Sequence, residues 1–266
     1  MAERIVMKIG GSIISEKDPS KLAGFPLTAD GIRARGQDYM RLEEIARVAR
    51  EIKEAMDESG SQLILVNGAG PFGHLLVKSV RPDEDVRASV RFQNERLVSE
   101  LRAAGIDAVP VPPSESCAFD GSEFDIEYLW EIAAMLLEEG KTPSTYGDVL
   151  ADGKIISGDD LVVLLAKAWK ADRIIAATDV DGVYTKDPKT NADAEFIAQL
   201  RTGDIGTKPE YALNSIDVTG GMQSKIEKLK EAAAAGMKCR IINGLTPGNV
   251  KAALLGDEGF GTSIVA

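Results

Sequence analysis

The chain has 266 residues, 42 acidic against 31 basic side chains for a formal charge of −11, one histidine and two cysteines. That length suits one large α/β unit with a substantial core, and the acidic excess argues against binding along nucleic acid or an anionic membrane, which needs surplus Lys and Arg. A single histidine excludes multi-histidine metal sites, and Cys117 and Cys239, with no CxxC or Cys/His grouping, read as small core residues in a reducing cytoplasm rather than as a disulfide or zinc framework.

The amino terminus, MAERIVMKIGGS, has no apolar signal-peptide core, and no uncharged run approaches the roughly 18 residues of a membrane helix. Short Val/Ile-rich runs alternate with segments of helical period, the pattern of a mostly parallel sheet covered on both faces. Arg4–Ile9 reads as the first strand, running into Lys8-Ile9-Gly10-Gly11-Ser12. Two glycines there let backbone N–H groups approach an anion, and Lys8 adds charge beside them. Neither GxxxxGK[ST] nor GxGxxG follows the first strand, so the loop is neither a Walker A nor a Rossmann turn. Lys17 is either an exposed loop lysine or a second phosphate ligand. Residues 16–37 lack periodicity and read as a loop or a small excursion over the edge of the sheet, and 41–58 as a helix.

A second strand over 62–66 ends in Asn67-Gly68-Ala69-Gly70-Pro71-Phe72-Gly73-His74, a small-residue turn that places the only imidazole at the start of a helix, where an anion is favoured. Residues 82–85 read as a solvated acidic turn, followed by a helix over 86–104, a strand over 108–111 and a helix over 126–139. Ile156-Ser157-Gly158-Asp159-Asp160 leads into a helix over 160–170, with Ser157 or Asp159 as a possible cap. The strand Arg173–Thr178 delivers Asp179-Val180-Asp181-Gly182-Val183-Tyr184 and then Asp187-Pro188, which misses the EF-hand spacing and fits a nucleotide pocket better. Asp217-Val218-Thr219-Gly220-Gly221-Met222 precedes a helix over 224–235 with Lys225 in its first turn, where a cation opposes the helix dipole unless an anion is near. A strand over 239–242 and a helix over 249–255 close the chain, and no linker or repeat divides it.

Taken in order, KIGGS, GAGPFGH, ISGDD, TDVDGVYTKDP and DVTGGMQSK resemble the amino acid kinase superfamily and, within it, the isopentenyl phosphate kinases, from Lys8 to about Gly261. The resemblance implies a three-layer αβα sandwich with a mostly parallel central sheet, residues 1–150 binding the acceptor and 151–266 the nucleotide. It implies ATP as co-substrate with Mg²⁺, isopentenyl phosphate as acceptor and a homodimer, and the motifs assign no metal-ligating side chain. Lys8, Gly10, Gly11 and Ser12 would border the ATP phosphates, Gly70 would stand between donor and acceptor, and Lys17 would bridge the transferring phosphoryl group. Gly221 and Lys225 would reach the β- and γ-phosphates, Asp179 and Tyr184 would line the nucleotide site, and Ala69, His74 and Gly158 would hold the acceptor's phosphate. Asn67, Pro71 and Leu75 depart from the family pattern and bear on the acceptor pocket. A fosfomycin kinase-like activity, or that of another small phosphate or phosphonate kinase, is the alternative. A non-catalytic ligand-binding module on the same fold is a more distant one.

Overall fold

The computed structural model describes residues 2–203 and 221–266. Its main strands are β1 (Arg4–Ile9), β2 (Gln62–Asn67), β3 (Ala108–Pro110), β4 (Thr142–Tyr146), β5 (Arg173–Thr178), β6 (Gln199–Arg201), β7 (Lys238–Asn243) and β8 (Thr262–Val265). They form one eight-stranded sheet in the order β6-β8-β7-β5-β1-β2-β4-β3. The strands from β7 to β3 pair in parallel, β8 runs antiparallel to β7, and β6 lies parallel to β8. The helices are α1 (Gly11–Ile14), α2 (Ala29–Arg35), α3 (Leu42–Ser59), α4 (Gly70–Lys78), α5 (Asp83–Ala103), α6 (Pro113–Ser116), α7 (Glu127–Glu138), α8 (Gly158–Trp169), α9 (Gly221–Ala234) and α10 (Asn249–Leu254).

Two separate cores cover the two faces of the sheet, as a three-layer αβα sandwich requires. Side chains alternate across a strand, so Ile5, Met7 and Ile9 of β1 pack on one side with Ile45, Val48 and Ile52 of α3 and Val250 of α10. Val6 faces the other side, with Leu136 of α7, Leu161 and Leu165 of α8 and Ile226 and Leu229 of α9. The same period sends Lys8 toward the Val6 face, where the amino terminus of α8 lies.

Three readings need correction. The segment 16–37 is not all loop: α2 forms inside it, capped by Thr28, whose hydroxyl accepts from Gly31 N at 3.2 Å. The acidic run at 82–85 is not a free turn but the cap and first turn of α5, where carboxylates suit the helix dipole. Asp85 Oδ1 also accepts from Ala29 N at 2.7 Å, tying α5 to the start of α2. The third concerns the thiols: Cys239 is a core residue, but Cys117 is only half-buried. Burial pushes both up to about 12, so neither is a ready nucleophile. Among the described residues no helix is long and apolar enough to cross a membrane.

Candidate active site

The loops at the carboxyl ends of β1, β2 and β5 meet at a cleft of about 760 Å³, the edge where open α/β sheets bind ligands. Lys8, Gly10, Gly11, Ser12, Lys17, Ala69, Gly70, His74, Gly158, Asp179, Gly221 and Lys225 all line it. Tyr184 is placed elsewhere, on a short ribbon with its ring edge-on to Phe196 and its hydroxyl 3.2 Å from Asp181 Oδ2. Asp217 to Gly220 of the last glycine motif fall outside the described residues.

The first two glycine loops interlock backbone to backbone. Gly10 N donates to Ala177 O and Gly68 N to Ile9 O, each at 2.9 Å. A Cβ on Gly11 would stand 2.5 Å from Gly70 N and 2.7 Å from its Cα, and Gly70 itself has φ +50°. Only residues without a side chain permit that approach at this left-handed position. Beneath the loops lies a buried amide network: Asn94 Nδ2 donates to Asn67 Oδ1 at 2.8 Å and to Ser144 Oγ at 2.9 Å, and Ser15 Oγ donates to Gly11 O at 2.7 Å. Asn67 therefore serves the floor of the loop. Pro71 lies in the first turn of α4, and Leu75 packs against the core.

Two of the three lysines are joined by a residue the sequence left as a possible cap. Lys8 Nζ lies 2.6 Å from Asp159 Oδ2 and Lys225 Nζ 3.0 Å from Asp159 Oδ1. Ser157 is the cap of α8, accepting from Asp160 N at 3.1 Å, which leaves the Asp159 carboxylate for the lysines. Burial pulls the Lys8 ammonium down to about 8, with Lys225 acting in the same direction and Asp159 opposing. Burial favours the neutral form of Asp159, yet the Lys225 and Lys8 ammoniums outweigh it and hold the carboxyl well below the usual range. Asp159 is thus the anion that offsets Lys225 against the dipole of α9.

Lys17 sits across the cleft, its Nζ 3.8 Å from Asp179 Oδ2. Glu16 shapes its loop: Oε1 accepts from Lys17 N at 2.8 Å and Asp18 N at 3.0 Å. The Asp18 N–H foremost, then Lys17 N–H, Lys21 and Arg41, hold Glu16 at about 2, with burial opposing them. Burial also favours neutral Asp179, but Lys17 and Lys189 together hold it at about 2. His74 is half-buried in α4, and Val77, Val86, Val90, Ile155 and Ile156 give the same cleft an apolar wall. Among the described residues no group of three His, Cys, Asp or Glu side chains could hold a metal ion, and of the aspartates lining the cleft Asp159 and Asp179 are engaged by lysines. Sequence reasoning missed Asp159 as a bridge, Glu16 and Lys189. The one available signal was a second acid beside Asp160, where a capping box uses only one.

Glycine loops, converging lysines and this sheet order define a phosphotransferase, and the chain belongs to the amino acid kinase family, whose family model matches residues 3–243. Within that family it is similar to the isopentenyl phosphate kinase of Methanothermobacter thermautotrophicus, at 34% identity with 98% of each chain covered. The isopentenyl phosphate kinase of Methanocaldococcus jannaschii is 32% identical over 95% of each. A solved structure described as isopentenyl phosphate kinase superposes with TM-score 0.75 at 30% identity, covering 98% of this chain and 99% of the other.

Proposed function

We propose that the chain transfers the γ-phosphoryl group of ATP to isopentenyl phosphate, giving isopentenyl diphosphate and ADP. The observation that carries this reading is the convergence of Lys8, Lys225, Lys17 and His74 on one cleft with an apolar wall. The acceptor oxygen belongs to a phosphate monoester largely ionised at neutral pH, so a strong general base is unnecessary. Catalysis reduces to alignment and charge stabilisation. Lys8 and Lys225, fixed by Asp159, would meet the ATP phosphates beside Gly10, Gly11, Ser12 and Gly221. Lys17 would bridge the moving phosphoryl group, with Gly70 between the two substrates. His74 would donate to the acceptor's phosphate, beside Ala69 and Gly158. Asp179 would serve the nucleotide.

Residues 1–150 act in this reading as the acceptor half and 151–266 as the nucleotide half. Mg²⁺, arriving with ATP, would supply charge neutralisation for its phosphates, while Asp159 and Asp179 are held by lysines. A cytoplasmic homodimer completes the reading, and light scattering on the purified protein tests the dimer. The apolar wall favours an isoprenoid tail over fosfomycin, since burying four or five carbons stabilises binding by roughly 3–4 kcal/mol. ADP release measured with Mg-ATP and isopentenyl phosphate, dimethylallyl phosphate, fosfomycin or UMP tests the choice of acceptor. The isoprenoid phosphates should give the highest kcat/KM, and turnover confined to fosfomycin or UMP would refute the proposal.

A further inference from the structure

Two lysines share a single carboxylate oxygen at the mouth of the cleft. Asp179 follows β5, and its side chain is only 12% exposed, while Lys17 and Lys189 are 43% and 48% exposed. Lys189 Nζ is within hydrogen-bond contact of Asp179 Oδ2, whereas Lys17 Nζ stands 3.8 Å from the same atom, paired through charge alone. The turn bearing Lys189 is well fixed: Asp187 Oδ1 accepts from Lys189 N at 2.9 Å, and Asp187 O accepts from Asn191 N and Asn191 Nδ2, each at 3.0 Å. A mostly buried carboxylate facing one ammonium alone would hold it more tightly than a surface acid, because water solvates so little of the carboxylate. With a second ammonium on the same oxygen, most of that pull is cancelled.

We propose that Lys189 is a positioning residue for Lys17: by occupying Asp179 it lets Lys17 leave that carboxylate for the transferring phosphoryl group. This rests on the reading of Lys17 as the cation at that group. Lys189 then acts on turnover through Asp179, without itself holding either substrate. The geometry separates this role from direct nucleotide binding, because the effect of Lys189 should disappear once Asp179 carries no charge.

The test is a double-mutant cycle in steady-state kinetics on the full chain. Lys189→Met should lower kcat roughly tenfold, a size typical of residues coupled in one charge network, with both KM values within about threefold of the starting enzyme. Lys189→Arg should restore most of the loss. In an Asp179→Asn background the further change to Lys189→Met should alter kcat less than about twofold, judged against Asp179→Asn alone. Unchanged melting temperatures exclude a folding cause. A raised KM for ATP with unchanged kcat, an undiminished effect in the Asp179→Asn background, or no effect at all would each overturn the proposal. Lys17→Ala, run in parallel, should lose about 10²–10³ in kcat. If it does not, the reading of Lys17 fails independently of Lys189.

Discussion

Lys8 Nζ stands 2.6 Å from Asp159 Oδ2, with the two side chains only 8% and 10% exposed. A buried ion pair contributes little net stability and is better understood as fixing a geometry. Here Lys225 is drawn to the other oxygen of the same carboxylate, so two ammoniums share the Asp159 carboxylate.

That sharing gives a pH signature. Lys8 must be cationic to meet phosphate, and its ammonium is pulled from the ordinary 10.5 down to about 8 by burial, with Lys225 adding to the shift. The kcat/KM for ATP, which reports the free enzyme, should therefore fall as pH rises through about 8. The profile of kcat should hold to higher pH, because bound phosphates favour the ammonium. A kcat/KM that stays flat to the ordinary lysine range would contradict the assignment.

His74→Ala should lower kcat/KM for isopentenyl phosphate by about ten- to a hundredfold, the cost of one hydrogen bond to a charged group. KM for ATP should change little. Equal kcat/KM for the acceptor in variant and parent would remove His74 from the site.

Gly11→Ala places a carbon 2.5 Å from Gly70 N and must push the two loops apart. Overpacking of this kind costs about 2 kcal/mol, or roughly 4–8 °C in Tm for a chain of this size, and KM for ATP should rise with it. Gly203→Ala, where the added carbon meets nothing within 4 Å among the described residues, is the matching control and should leave both unchanged. Thermal melts and ATP titrations of the pair decide the point.

Much of the architecture was legible because burial left a simple mark. β1 and β5 match the strands read from sequence, since central parallel strands are apolar on both faces and β-branched residues crowd them. β4 escaped notice: Thr-Pro-Ser-Thr-Tyr has no apolar run, yet every residue of it is buried. Its polarity is answered from α5, where Asn94 donates to Ser144 Oγ, and no local pattern announces such a partner. β6 and β8 are short, the pairing of β6 with β8 is distant in sequence, and α2, with Ile32 as its only buried residue, lacks an apolar stripe. At the site, glycine turns and lysines are visible one at a time. The bridge through Asp159 is not, because Lys225 lies 66 positions further along and the two meet only when α8 and α9 pack side by side.

The proposed acceptor is a phosphate monoester with an isoprenoid tail. The most direct measurement is phosphorus NMR of the purified protein with Mg-ATP and isopentenyl phosphate. The monoester resonance should be replaced by the two coupled resonances of isopentenyl diphosphate, with one ADP formed per diphosphate. Persistence of the monoester signal, with ADP at the ATPase background, would contradict it.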